Sequence, residues 1–260
     1  MKKLLNIALW GFFVIGTLVL LSFTQSKKKN TVCNKVEYNI DILSGNHFVT
    51  PDRVNEILKK IGFKKGTDTY ESIDTEKLER KLLSLSSVES VEVSKNLNGV
   101  MDIAIKQRTP IARVFNRNGY SVYIDDKGKT MQTSEFYTAR VAVINGFVNI
   151  KPGEDLSALT NDSLKNETLL DELYELATYI RGNEFLKAQI EQVYVKRNKE
   201  VILIPRVGTQ EIEFGKVERV RNKLENLELF YKEGINPENL NLYKTINLKY
   251  ENQITCKKNN

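Results

Sequence analysis

The sequence predicts an α+β protein with a single N-terminal transmembrane helix, a small βααββ domain, and a mostly-β domain with two amphipathic helices. The chain of 260 residues opens with an uncharged apolar run. Beyond that run, apolar residues recur at period two in some segments and at helical spacing in others. Charged residues make up 28% and hydrophobic residues 41%, a balance typical of globular domains and not of disordered ones.

The apolar run covers residues 4–23 and contains no charged side chain. At ~1.5 Å per residue, a helix of this length matches the thickness of a bilayer core. A cleaved signal peptide is the alternative, but the run is longer than a typical signal core and no A-x-A site follows it. We therefore assign residues 4–24 to an uncleaved transmembrane helix, 1–3 to a tail and 25–35 to a linker. Lysines flank both ends, so charge alone does not decide the orientation.

Residues 36–107 are predicted to form the small domain. Apolar and polar residues alternate over 36–42, which predicts a half-buried strand. Thr50-Pro51 and Asp74 are N-terminal signals for two amphipathic helices. Two further alternating stretches are joined by Asn98-Gly99, a strong hairpin signal. One sheet with both helices on one face would bury these apolar stripes.

Residues 108–258 are predicted to form the mostly-β domain. Arg108 and Pro110 stand at its start, where proline fixes φ and holds the preceding residue extended. This suits a rigid interdomain joint, and a partner contact is the alternative. Alternating patterns predict strands over residues 120–124, 140–144, 192–195, 201–204, 211–214 and 245–251. Helical spacing predicts amphipathic helices over residues 167–181 and 216–232.

No group of residues points to catalysis, so we expect no catalytic residue, metal, cofactor or small-molecule substrate. His47 is the single histidine, and the sequence contains no GxSxG, HExxH or GxxxxGK[ST] motif. Asp125 and Asp126 are adjacent and lead into a predicted turn, so they would not face each other. Cys33 and Cys256 lack a CxxC partner, which excludes a zinc site and leaves a disulfide open. The charge of +6 is spread along the chain, which does not favour nucleic acid as a partner.

Six short motifs, in order along the chain, resemble those of the FtsQ/DivIB family of bacterial cell-division proteins. They lie at residues 46–50, 85–93, 105–113, 123–131, 143–146 and 246–250. Gln107 and Asn247 depart from the family pattern, in which many relatives carry Glu and Asp at these places. The resemblance implies a POTRA-type domain over 36–107 and an FtsQ-type β-domain over 108–258.

The resemblance also implies a function. It implies a non-catalytic divisome scaffold that crosses the cytoplasmic (inner) membrane once at the division septum. Its short N-terminal tail would lie in the cytoplasm, and its bulk would lie in the periplasm or outside the cell. Its implied partners are FtsB-like and FtsL-like proteins, together with septal peptidoglycan synthase components. The alternative is a POTRA-bearing component of an outer-membrane translocation or assembly system, which would need many lipid-facing strands.

The predicted strand over 245–251 is the candidate partner site. Its apolar residues share one face at period two, and a C-terminal strand often leaves one edge of a sheet unpaired. Such an edge can accept a strand from a partner, and the resemblance implies that FtsB binds here. A covered strand with Tyr250 in the core is the alternative. The predicted contact residues are Ile246, Leu248, Lys249, Tyr250 and Asn252.

Overall fold

The structure is a computed structural model that describes residues 10–19, 30–42, 45–96, 98–150 and 169–259. Residues 10–19 form helix α1. Within these described ranges, no helix is both long enough and apolar enough to cross a membrane. The predicted tail, both ends of the predicted span over 4–24 and residues 25–29 of the predicted linker lie outside the described residues. The chain divides into two compact units between Gln107 and Arg108.

The first unit is a three-stranded sheet with two helices. Its elements are β1 (Lys35–Ile40), α2 (Pro51–Lys60), α3 (Thr75–Leu83), β2 (Val88–Lys95) and β3 (Val100–Gln107). The strand order is β1-β3-β2, with β1 parallel and β2 antiparallel to the central strand. The predicted succession of strand, helix, helix, strand and strand is therefore confirmed.

Local signals explain where the two helices of the first unit begin. Thr50 Oγ1 accepts a hydrogen bond from Arg53 N at 3.3 Å, and Pro51 occupies the first helical position. Asp74 Oδ1 accepts from Lys77 N at 2.8 Å in the same way. The apolar stripes that follow pack against the sheet. Fully buried members of this core are Val54, Leu58, Leu78, Leu82, Met101, Ile103 and Ile105.

A buried glutamine fastens the loop after β1 to the end of β3. Gln107 is 3% exposed, and its Oε1 accepts a hydrogen bond from Val49 N at 2.8 Å. Its Nε2 donates to Asp41 O at 2.9 Å and to Asn46 O at 3.0 Å. Both amide hydrogens and the amide oxygen are therefore used, which only an uncharged amide can do here.

The second unit is a nine-stranded sheet with helices on one face. Its strands are β4 (Pro110–Phe115), β5 (Ser121–Asp125), β6 (Thr130–Gln132), β7 (Ala142–Gly146), β8 (Ile190–Val195), β9 (Val201–Pro205), β10 (Glu211–Gly215), β11 (Tyr243–Asn247) and β12 (Thr255–Lys258). Its helices are α4 (Leu169–Gly182), α5 (Glu184–Gln189) and α6 (Val220–Leu229), followed by a π-helical turn (Phe230–Gly234) and a 3₁₀ helix (Pro237–Leu242). The strand order is β12-β11-β10-β9-β8-β7-β4-β5-β6. The predicted β-rich second half is confirmed.

The core of the second unit lies between α4, α6 and the face of the sheet that they cover. Alternate residues of the central strands supply one side, and the apolar stripes of the two helices supply the other. Fully buried members include Val114, Ile144, Val193, Leu203, Phe214, Leu176, Leu224 and Leu227. Strand β11 adds Ile246 to the same cluster.

Helix α6 is shorter than the predicted helix over 216–232. It begins only at Val220 because Arg219 has a left-handed backbone, with φ at 51°. Lys223 is buried, and its Nζ donates to Phe214 O at 3.0 Å and to Lys216 O at 2.8 Å. These bonds tie α6 to the end of β10 and to the segment between them. Burial lowers the pKa of the Lys223 ammonium.

Candidate functional site

The candidate site is the C-terminal hairpin, which we define as β11, β12 and the residues between them. Strand β11 runs parallel to β10, with Ile246 opposite Ile212. Ile246 is 0% exposed and Leu248 2% exposed. The alternation seen in the sequence therefore places these two predicted contact residues in the core, where a partner cannot reach their side chains.

The predicted strand over 245–251 is wrong at its C-terminal end, because β11 stops at Asn247. Leu248 N still donates to Glu213 O at 2.9 Å, and the chain then turns, with Asn252 in a left-handed conformation at φ 56°. Lys249 Nζ lies 3.1 Å from Glu213 Oε2, and this hydrogen bond raises the pKa of the lysine. The ion pair holds the Lys249 side chain against β10, and the backbone of this residue lies beyond the end of β11.

The prediction that this strand forms the open edge of the sheet is also wrong. A further strand, β12, pairs antiparallel with β11 and covers it, with Cys256 opposite Ile246. The sheet of the second unit therefore ends at β12. Cys256 packs against the core, whereas Lys257 and Lys258 are exposed.

The hydrogen bonds of β12 show which backbone groups face away from β11. Asn259 N donates to Leu242 O at 2.8 Å, so its N–H points towards β11. Successive residues of a strand direct their backbone groups to opposite sides, so the N–H groups of Lys258 and Cys256 point outwards. In the part of the chain that the structure describes, no strand pairs with this outer side. It is the one place in the hairpin where a further strand fits without displacing another.

Tyr250 and Asn252 lie in the turn between the two strands. Tyr250 is 56% exposed, which excludes the alternative that its ring belongs to the core. Asn252 lines a cleft of about 550 Å³ between this turn and the C-terminal end of α6, together with Leu229 and Phe230. The hairpin therefore combines a free backbone edge, an exposed tyrosine and a partly apolar cleft.

The two residues predicted as an interdomain joint lie at the first strand of the second unit. Pro110 is the first residue of β4, where its missing N–H is not needed for pairing, and its side chain is buried. Arg108 Nη1 lies 2.8 Å from Oδ2 of the buried Asp125. Asp125 Oδ1 also accepts from Lys127 N at 3.0 Å and from Lys129 N at 2.7 Å. Arg108 is thus fixed to the β5–β6 turn, and the role of Pro110 in domain orientation stays a prediction.

The other residues considered in the sequence do not come together in a catalytic or metal-binding site within the part of the chain that the structure describes. His47 is exposed, and Asp125 serves the turn described above. Cys33 and Cys256 are free thiols, and burial raises the pKa of each. Among the described residues, no three His, Cys, Asp or Glu side chains come together to hold a metal ion.

Comparison with known families yields two matches, which together span most of the chain outside the N-terminal apolar run. The family described as FtsQ/DivIB, C-terminal related, matches residues 109–257. The POTRA-like domain matches residues 31–106. No curated protein matches the chain.

Proposed function

Because the chain belongs to the FtsQ/DivIB family, we propose that it is a membrane-anchored divisome scaffold that binds FtsB-like and FtsL-like proteins outside the cytoplasmic membrane. The family is one of non-catalytic cell-division scaffolds, so its members act through protein–protein interaction. We further propose that the bound partners link this chain to septal peptidoglycan synthesis. The observation that carries the proposal is the open outer edge of β12.

The anchor is proposed to be residues 4–24. Within it, α1 exposes apolar side chains around its whole circumference, among them Trp10, Phe13 and Ile15. A helix that is apolar on every side is stable in lipid and unfavourable in water. Placed in the cytoplasmic membrane, this helix would hold both units on one side of it.

Strand addition at β12 supports partner binding in physical terms. Each backbone hydrogen bond across the new edge contributes about 0.5–1.5 kcal/mol net, and these bonds do not depend on the side chains of β12. Lys257 and Lys258 are exposed, and such charges on an edge discourage pairing with a second copy of the same strand. The same charges favour a partner strand that carries acidic residues.

The experiment compares two substitutions of Lys258 in the full chain, purified in neutral detergent. Lys258→Pro removes an outward N–H and places a ring against the incoming strand, so we expect the affinity for the FtsB-like partner to fall about tenfold or more. Lys258→Ala keeps the N–H and serves as the matched control, with an expected change of about threefold or less. The melting temperature is recorded for both variants.

Normal affinity of the Lys258→Pro variant, together with an unchanged melting temperature, would show that the partner does not use this edge. Equal losses in the proline and alanine variants would assign the binding to the lysine side chain instead of the backbone.

A further inference from the structure

An arginine pair lies in the second unit at a place that the proposed partner edge does not use. Arg117 and Arg197 both stack on the ring of Phe147, with their guanidinium carbons 4.9 Å and 5.3 Å from its centroid. Arg117 belongs to the β4–β5 turn, Phe147 follows β7, and Arg197 belongs to the β8–β9 turn. Three separate connections of the sheet therefore place two cations beside one aromatic ring.

The two turns that carry the arginines have the same construction. In the first, Asn116 N donates to Tyr120 O and Gly119 has φ at 83°. In the second, Lys196 N donates to Glu200 O and Lys199 has φ at 64°. Each arginine thus occupies the same position of an equivalent turn. Lys199 adds a further cation to the second turn, in a left-handed conformation that is less favourable for lysine than for glycine.

The ring between the arginines is held in place by the fold. Phe147 N donates to Val195 O at 2.8 Å. A side chain at Gly146 would collide with the same Val195 O, so the backbone packs closely here. The buried Asn116 side chain donates to Ile150 O at 2.7 Å and accepts from Ile150 N at 2.8 Å. These contacts fix the segment after β7 to the β4–β5 turn, so the ring gives both guanidinium groups a contact surface held by the fold.

The charges of the arginine pair lie at the surface of the second unit, among the residues that the structure describes. Both arginines are exposed, and neither forms an ion pair with any residue that the structure describes. Two acidic side chains of the described residues, Glu200 and Glu172, have lysines as cationic neighbours. Glu200 Oε2 lies 3.9 Å from Lys249 Nζ. Burial raises the pKa of Glu172, and the positive charge of the nearby Lys199 opposes that shift.

We infer that Arg117, Phe147 and Arg197 form a binding site for a phosphate-bearing anion. A guanidinium stacked on a ring keeps its in-plane N–H donors free for a ligand. Phosphate presents oxygens in several directions and can accept from two guanidinium forks, whereas a carboxylate presents one planar edge. The phosphate can come from a lipid headgroup or from a soluble phosphate polymer, and the chemistry of recognition is the same for both.

The test titrates the full chain in neutral detergent with sodium tripolyphosphate, and in a second arm with phosphatidylglycerol against phosphatidylcholine in the micelles. Arg117→Gln and Arg197→Gln are each expected to weaken binding about tenfold, because each removes a charge-assisted fork. Phe147→Leu keeps both charges and loses the platform, so we expect a smaller loss. Arg206→Gln is the control, since Arg206 is exposed at the opposite end of β9, and it is expected to change affinity less than twofold.

Binding of tripolyphosphate or of phosphatidylglycerol supports the site and identifies the source of the phosphate. Equal losses in Arg206→Gln and the two site variants would overturn it, because net charge alone would then explain the binding. It is also overturned if citrate binds as tightly as tripolyphosphate, or if neither phosphate probe binds. None of these outcomes depends on partner binding at β12.

Discussion

At the scale of single residues, side-chain amides stand at two positions, 107 and 247, where the resemblance in sequence leads us to expect carboxylates. Gln107 Nε2 donates to two backbone carbonyls, which a carboxylate cannot do. Asn247 Nδ2 donates to Glu213 Oε2 at 3.2 Å, and its Oδ1 accepts from Lys249 N at 2.9 Å. A carboxylate at 247 would face Glu213 directly. In both places the local hydrogen bonds select the amide.

The substitution Gln107→Glu tests this argument. At neutral pH we expect it to destabilise the first unit by about 2–4 kcal/mol, because a buried carboxylate would face two carbonyl oxygens that have lost their donor. This environment raises the folded-state pKa of the new carboxyl above its unfolded value. Stability is therefore recovered below the unfolded pKa and lost as pH rises through the folded pKa.

The measurement is thermal unfolding of the full chain at several pH values between 4 and 8. Gln107→Leu is the control, since it removes the same hydrogen bonds and introduces no titrating group. A Gln107→Glu variant as stable as the parent chain at pH 7 would contradict the assigned role of the amide.

Tyr250 is the second residue-scale prediction. If its exposed ring anchors the FtsB-like partner, Tyr250→Ala should cost about 2 kcal/mol, roughly thirtyfold in affinity, with little change in melting temperature. Phe136→Ala provides the control, because Phe136 is an exposed aromatic residue on the loop between β6 and β7. The anchor role is refuted if the Tyr250 variant binds as well as the Phe136 variant.

At the scale of elements, the sequence predicts a helix or strand correctly where its local signals agree with the tertiary packing. Helices α2 and α3 have capping residues and apolar stripes, and both were predicted. Strand β12 was missed because only Cys256 among its four residues is apolar, so the sequence carries no strand pattern there. The strand exists because these residues pair with β11. Strand β4 was missed because Arg113 interrupts its apolar pattern. In the structure, the guanidinium carbon of Arg113 lies 4.6 Å from the centroid of the Phe115 ring. The sequence alone does not reveal this contact.

The candidate site shows the same limit. Alternation over 245–251 correctly separated Ile246 and Leu248 from the residues between them, because burial imposes the period of two. Alternation does not tell whether a strand is the last of its sheet. Which strand comes last is decided here by the turn at Asn252 and by the short strand that follows it. The sequence carries no strong signal for either of them.

At the scale of the whole molecule, each unit has a hydrophobic core of its own. The succession of the two units was predictable because the periodic patterns change at their junction. Each unit has a match of its own, the POTRA-like domain at residues 31–106 and the FtsQ/DivIB C-terminal related family at residues 109–257. Orientation across the membrane was not predictable from charge, since lysines lie on both sides of the apolar run.

A topology reporter addresses that orientation directly. A phosphatase that is active only outside the cytoplasm, fused after Asn260, is expected to be active, because both units are proposed to lie there. The same reporter fused directly after Lys3 should be inactive, which controls for leakage. A stable but inactive C-terminal fusion would overturn the proposed location.

The strand order of the second unit also affects the order in which its strands can pair while the chain is being synthesised. From β7 to β12, neighbours in the sheet are neighbours along the chain, and β4 to β6 lie on the far side of β7. As the chain is synthesised from its N-terminus, each new strand from β7 onwards finds its neighbour already made. Sheet growth then proceeds in one direction and finishes at β12. A chain interrupted before Thr255 has the earlier strands of this sheet but not its outer edge, so recognition at β12 would select for molecules synthesised past that strand.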